Sequence, residues 1–339
     1  MDFEVKPIHL GVLMPCKRKK IIPECIQDLC DQESIKITKI NLDNNMEDQG
    51  PFDVILHKVS DLYKKNSSFE KVEQMIGVLS NYAQRFPNTY VIDDFKLVQR
   101  LMNRKYQLEI LKECALNVNG ISVYAPKSLE LCDLDNNLST IEHMQKQILS
   151  CDMKFPILVK PLPACKAVDA HKFIIIFSME QLRDITYPCL LQEFCNHSGV
   201  LYKMFVIGDQ ISVFERPSVK NIECVNNKQN SLTFDTRQIS KIGNNFNPEL
   251  HERDPRTRTW HSYEEDPLLL DNVVLRAIHN KISNYADLKL YGVDILKDLQ
   301  GDYAVVDLNH FPGYTGVREQ QFSKDIVRMI KQCAKKGKH

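Results

Sequence analysis

At 339 residues the chain is long enough for two or three domains, and its 43% hydrophobic and 26% charged residues are ordinary for a globular protein. Lys plus Arg and Asp plus Glu each number 44, a formal net charge of zero; this speaks against a general nucleic-acid or anionic-membrane binder, so any polyanion must meet a local cluster of charge. There is no run of 18 apolar residues, Met1-Asp2-Phe3-Glu4 lacks the apolar stretch of a signal peptide, and the 11 cysteines form no C-x-x-C pair, so the expectations are a monomer in the cytoplasm, with the nucleus also open, reduced thiols and no structural zinc.

The first hundred residues alternate between strand and helix periods. Strands are predicted at Ile8 to Met14, Ile35 to Leu42, Asp53 to His57 and Tyr90 to Ile92, and helices at Ile22 to Asp31 and Ser67 to Arg85. In the longer helix Phe69, Val72, Met75, Ile76 and Leu79 recur at three- and four-residue intervals and mark a buried face. Residues 1–93 thus read as an open α/β domain of parallel, buried strands, with ligand sites beyond their C-terminal ends.

Asp93 or Asp94 caps the next helix, which carries Leu97, Leu101, Leu108, Ile110 and Leu111 as far as Cys114. A second α/β region, 94–194, has strands at Ile121 to Tyr124, Ile157 to Val159, Phe173 to Phe177 and Cys189 to Phe194, and helices at Leu138 to Leu149 and Met179 to Ile185. The third, 195–339, opens with a hairpin, Leu201 to Ile207 and Ile211 to Phe214, turned at Gly208-Asp209. Gly243 to Glu265 reads as a mobile surface loop, and Pro267 behind Asp266 starts a helix running to about Ala286. A second hairpin and a basic helix follow, and no internal repeat is found.

That second hairpin carries the most chemistry. Gly292-Val293-Asp294-Ile295-Leu296 and Ala304-Val305-Val306-Asp307-Leu308-Asn309 are β-branched apolar runs around a Gly-containing turn, which predicts adjacent antiparallel strands. An ionised carboxylate buried without a partner costs several kcal/mol, so an Asp in each strand points to a bound cation. Asp307 and Asn309, two apart, share a face. Hard oxygen ligands of this kind suit Mg²⁺ or Mn²⁺. The plain alternative is that each Asp caps a turn or pairs with an Arg.

Elsewhere Lys160 ends the apolar strand Ile157-Leu158-Val159 and either snorkels to the surface or projects toward a nucleotide phosphate. Cys189 to Phe194 has the form of a strand entering an interdomain hinge, where backbone groups can read an adenine edge. Cationic side chains recur at element ends, in Lys17-Arg18-Lys19-Lys20, Lys58, His171, Lys203 and Arg216, as solvated faces or as a converging pocket for a small polyanion. No P-loop, G-x-G-x-x-G, H-E-x-x-H or G-x-S-x-G is present. Phosphoryl transfer with carboxylates on late strands and a lysine on a central strand points to an ATP-grasp architecture, α/β lobes behind an N-terminal open α/β pre-grasp domain.

The order of segments then becomes recognisable. Asp53-Val54-Ile55-Leu56-His57-Lys58, Gln192-Glu193-Phe194-Cys195-Asn196-His197 with Val200 to Gly208, Arg216-Pro217-Ser218-Val219-Lys220-Asn221, Gly292-Val293-Asp294 and Val306-Asp307-Leu308-Asn309-His310-Phe311-Pro312-Gly313-Tyr314 together resemble the inositol-tetrakisphosphate 1-kinase family, also called inositol-trisphosphate 5/6-kinases, over about residues 8–330. The resemblance implies ATP-dependent phosphorylation of soluble inositol polyphosphates, at position 1 of the 3,4,5,6-tetrakisphosphate and positions 5 and 6 of the 1,3,4-trisphosphate. It implies that ATP contacts Arg104, Lys160, Gln192, Glu193, Phe194, Lys203, Ser218 and Ser240, and that Mg²⁺ binds Asp294, Asp307 and Asn309. It places the inositol phosphate against Arg18, Lys58, His171, Lys203, Asn309 and Gly313, and gives Lys160, His171, Lys203 and Arg216 the catalytic positions.

Two departures stand out. The family's loop after Lys160 usually contains a glycine that lets the backbone close over phosphates, whereas Cys165-Lys166-Ala167-Val168-Asp169 has none. Arg18 stands where a lysine is usual, which alters phosphate geometry more than charge. A binding module with weakened turnover and a carboxylate-amine ligase of the same fold are the rival readings.

Overall fold

The computed structural model describes residues 6–14, 24–65, 69–132, 138–163, 170–186, 188–223, 230–240, 247–251 and 270–337. Its first sheet is parallel throughout, β1 (Ile8–Leu13), β2 (Ile35–Lys39), β3 (Val54–His57) and β4 (Tyr90–Ile92) in the order β2-β1-β3-β4. β3 lies inside the sheet and is buried at every position, so its sequence is a continuous apolar run, whereas edge strand β2 alternates buried Ile35 with exposed Lys36. Helices α1 (Glu24–Gln32), α2 (Met46–Gln49), α3 (Leu62–Lys65) and α4 (Phe69–Arg85) connect these strands. α4 buries Val72, Ile76, Leu79 and Tyr82. Phe69, expected on that face, is 60% exposed, and its ring lies beside Tyr63 instead.

The single helix expected from residue 93 to 114 is two. α5 (Phe95–Arg100) is capped by Asp94, which accepts the Leu97 amide at 2.8 Å, and α6 (Arg104–Glu113) restarts behind Asn103, which accepts the Lys105 amide at 2.8 Å. The break at 101–103 matters, because it brings the Arg104 amide to the Leu162 carbonyl at 3.1 Å and buries the arginine at the start of α6.

The remaining elements are β5 (Leu116–Val118), β6 (Ile121–Tyr124), β7 (Ser128–Leu131), α7 (Leu138–Ser150), β8 (Ile157–Pro161), β9 (Lys172–Ile176), β10 (Cys189–Glu193), β11 (Val200–Ile207), β12 (Gln210–Pro217), β13 (Leu232–Asp235), α8 (Thr236–Ile239), α9 (Asn272–Ala286), β14 (Leu290–Lys297), β15 (Tyr303–His310) and α10 (Glu319–Lys336). They build a central sheet, β13-β9-β8-β10-β7, and a C-terminal sheet, β12-β11-β14-β15-β6-β5. The first sheet lies wholly before residue 94, whereas sheet membership crosses position 195, since β5 and β6 join the C-terminal sheet and β13 joins the central one. The helix expected at Met179 is a 3-10 segment, Met179–Asp184. α9 begins at Asn272 behind Asp271, which accepts two amides; Asp266 and Pro267, and all of the 243–265 loop except 247–251, lie outside the described residues, as does the 17–20 charge run. The β11–β12 hairpin turns at Gly208, whose φ of +59° suits glycine. Among the described residues no helix is long and apolar enough to cross a membrane.

Leu10, Val12, Leu56 and Ile92 of the first sheet share one core with Phe205, Ile207, Phe311, Ile326 and Ile330 of the C-terminal lobe. The central lobe keeps a core of its own, around Met144, Ile157, Val159, Ile176 and Leu191.

Candidate active site

Strand register assembles the site. Lys203 on β11 stands opposite Asp294 on β14, which stands opposite Asp307 on β15, so one rank across three strands holds a cation and two carboxylates. The Lys203 ammonium lies 3.0 Å from Asp294, and the Asn309 amide donates to Asp307 at 3.0 Å, which confirms that Asp307 and Asn309 share a face. The ladder shifts register just after Asp294, an irregularity of the kind that re-aims side chains beside functional sites.

The central sheet, through Lys160, and α6, which packs on β15, through Arg104 supply the opposing charge. Lys160 is 3% exposed, its ammonium donates to the Val306 carbonyl at 2.9 Å, and Arg104 donates to the Ala170 carbonyl at 3.1 Å. Both cations lie over the Phe173 ring, 5.3 Å away for the guanidinium and 5.6 Å for the ammonium. Burial lowers the Lys160 pKa to about 8, against the pull of Asp307. Burial works to raise the Asp307 carboxyl, but Arg104, Lys160 and Lys203 together outweigh it and hold it below the usual range. Asp294 goes the other way: burial pushes it up, Lys203 offsets part of that and Asp307 adds to it. Two buried carboxylates facing each other on adjacent strands form an acidic pair that suits a bound cation.

A divalent cation fits this donor set. The described residues contain no cluster of three or more His, Cys, Asp or Glu, but Mg²⁺ needs only one or two carboxylates beside water and phosphate oxygens. Asp294 Oδ1 is fully buried and accepts no well-directed hydrogen bond despite the nearby ammonium, leaving an oxygen for a ligand.

The other expected residues divide. Arg216 joins the rank electrostatically through Asp294 and is anchored by its own donation to the Thr315 carbonyl at 2.6 Å. His171 feels Arg104 and Asp307; burial first, then Arg237 and Arg104, lower its pKa, which favours the neutral imidazole. Lys58 is 6% exposed and donates to the Phe311 carbonyl at 2.6 Å, so the first domain reaches the end of β15. Gly313 is exposed, and an added Cβ would meet only Thr315 Oγ1.

At the hinge, Gln192 is buried and donates to Ser128. The amides of Glu193 and Phe194 are donated to the Lys127 and Pro156 carbonyls, and the Glu193 carboxylate accepts the Lys154 amide. Those two amides are therefore taken up inside the lobe and do not face an adenine edge. Ser218 donates to His197 Nε2 at 2.7 Å and Ser240 to its own helix at the Thr236 carbonyl, so both hydroxyls have local partners away from the acidic rank. Arg18 and the 165–169 loop lie outside the described residues.

Sequence reasoning missed Phe173 and Arg237. Phe173 looks like any strand residue, and Arg237, paired with Asp235 beside His171, follows a strand too short to show a period.

Residues 11–98 match the family described as the inositol 1,3,4-trisphosphate 5/6-kinase pre-ATP-grasp domain, and residues 119–331 match its ATP-grasp domain. An inositol-tetrakisphosphate 1-kinase from Danio rerio is 30% identical over 97% of this chain and 80% of its own length, and one from Xenopus laevis gives the same figures. Among solved structures, a Chryseobacterium gregarium RiPP-associated ATP-grasp ligase in complex with ADP and a leader and core peptide superposes over 96% of this chain and 97% of its own, with a TM-score of 0.56 at 11% identity, a likeness of fold alone. With both domains matched in order, and with a lysine, two acids and an amide ranked on the last sheet, the chain belongs to the inositol 1,3,4-trisphosphate 5/6-kinase family and has the ATP-grasp fold.

Proposed function

We propose that the protein transfers the γ-phosphoryl group of ATP to a free hydroxyl of a soluble inositol polyphosphate. The observation that carries this reading is the Lys203–Asp294–Asp307 rank facing Lys160 and Arg104 across the cleft. Phosphoryl transfer has a loose transition state, so the protein's work is positioning and neutralisation. Lys160 and Arg104, held over Phe173, meet the phosphate chain. Asp294, Asp307 and Asn309 would hold Mg²⁺ or Mn²⁺, which would supply charge neutralisation to the phosphate chain. Arg216 adds a fixed cation beside Asp294. Lys58, His171, Lys203 and Gly313 orient the acceptor, with neutral His171 free to accept as well as donate.

Incubation with ATP, Mg²⁺ and a panel of inositol tris- and tetrakisphosphates tests this. The expected result is ADP together with an inositol phosphate carrying one more phosphate; no such product from any member overturns it. The glycine-free 165–169 run favours a second reading, a module that binds polyanion and nucleotide with little turnover. Calorimetric binding without ADP formation would select it.

A further inference from the structure

We propose that Asp93 is a positioning residue, which sets the distance between the acceptor-holding Lys58 and the strands that carry Asp294, Asp307 and Asn309. Asp93 follows β4 at the rim of the first sheet and is 2% exposed. Its carboxylate accepts the Lys289 amide at 2.7 Å and the Leu290 amide at 3.1 Å, and lies 3.2 Å from His310 Nε2. The side chain thus holds the start of β14 by two hydrogen bonds and lies against the end of β15, and the two strand ends are tied by the Phe311 amide donating to the Leu290 carbonyl at 2.7 Å.

The backbone of the same residue faces the other way. The Asp93 carbonyl accepts from His57 Nε2, while His57 Nδ1 accepts the Val59 amide, so both ring nitrogens of a fully buried imidazole fix the segment that bears Lys58. Lys58 in turn donates to the Phe311 carbonyl, one residue beyond His310 and two beyond Asn309. Asp93 therefore belongs to both sides of the acceptor pocket at once, the lysine side through its carbonyl and the β14–β15 side through its carboxylate. In a buried site no water competes for these bonds, and an amide in place of the carboxylate would set an N–H₂ against a backbone N–H.

The inference rests on the kinase reading, and its sign separates it from simple charge. Asp93→Asn removes a negative charge near a polyanion pocket, so electrostatics alone would tighten acceptor binding. Misplacement does the reverse. The experiment compares wild type, Asp93→Asn and Asp94→Ala; the last removes the neighbouring α5 cap without touching β14 or β15. For Asp93→Asn, KM for the inositol polyphosphate should rise and kcat fall by about tenfold to a hundredfold in combination, with KM for ATP within twofold. Asp94→Ala should lower Tm and leave both KM values unchanged, which shows that lost stability is not the cause. An acceptor KM unchanged or lowered in Asp93→Asn, or raised equally in Asp94→Ala, overturns the inference. Wild type that turns over no inositol phosphate overturns the kinase reading, and this inference with it.

Discussion

The first domain and the C-terminal lobe bury a continuous core, Leu10, Leu56 and Ile92 against Phe205, Phe311 and Ile326, with α1 packed on α10; the central lobe, around Ile157, Ile176 and Leu191, has a separate one. On the proposed reading this places the metal ligands and the acceptor contacts other than His171 on one fused body, with Lys160 and the Gln192–Phe194 segment on another. An interior is close-packed and transmits strain, so the fused body holds its ligand groups at fixed separations. The central sheet meets it at points such as Lys160 donating to Val306, while α6, which bears Arg104, packs on the C-terminal sheet through Ile110 and Leu111. Fixed spacing on the acceptor side and an adjustable clamp on the nucleotide side is the division this predicts.

The largest test falls on the fused side. Asp307→Ala removes a carboxylate on which Arg104, Lys160 and Lys203 all act, and should cut phosphorylation by about a thousandfold or more while the circular-dichroism spectrum is kept. Retained turnover would remove the acidic rank from the mechanism and leave the comparison without its functional half.

Core truncations test whether the two bodies are separate units. Ile326→Ala and Ile176→Ala, both at fully buried sites, should each cost about 2–5 kcal/mol. By hydrogen exchange, Ile326→Ala should expose β1, β3 and β14 together, whereas Ile176→Ala should loosen β8 to β10 and spare the rest. A uniform loss of protection in both variants would mean one cooperative unit, and the comparison would fail.

Acid should strain both bodies, through one histidine each. Burial holds His57, in the interdomain joint, at about 3 and His197, at the hinge, at about 4. Both folded values lie below the unfolded value near 6.5, so each contribution is fully present above pH 6.5. Below that, the unfolded chain takes up protons that the folded one refuses. Stability then falls by about 1.4 kcal/mol per pH unit for each histidine, down to its folded pKa. Urea midpoints between pH 7.5 and 5 should fall toward acid, and His57→Gln should make the fall shallower without abolishing it, because burial also lowers His171 and His279.

What the sequence disclosed follows from where patterning is physically enforced. β14 and β15 are apolar runs whose acids had to be explained, and the shared face of Asp307 and Asn309 follows from strand period alone. β5, β7 and β13 are three or four residues long and carry no period, so the exchange of strands between lobes was invisible. The α5–α6 break depends on Asn103, an ordinary helix residue until its side chain is seen to cap. Lys58 and Asp93 find their partners about two hundred residues or more away, a distance at which one sequence has no local signal.

The smallest expected effect separates the two sides most cleanly. Phe173 lies on the central sheet beneath Arg104 and Lys160, two residues after His171, and its ring also meets Phe234. Phe173→Leu keeps an apolar side chain but removes the ring face beneath two buried cations, a contact worth about 0.5–2 kcal/mol. KM for ATP should rise about two- to thirtyfold while KM for the inositol phosphate stays unchanged, the mirror image of Asp93→Asn. A rise in the acceptor KM would mean that displacement of the central lobe reaches the acceptor pocket, and that the two sides of the cleft are mechanically one.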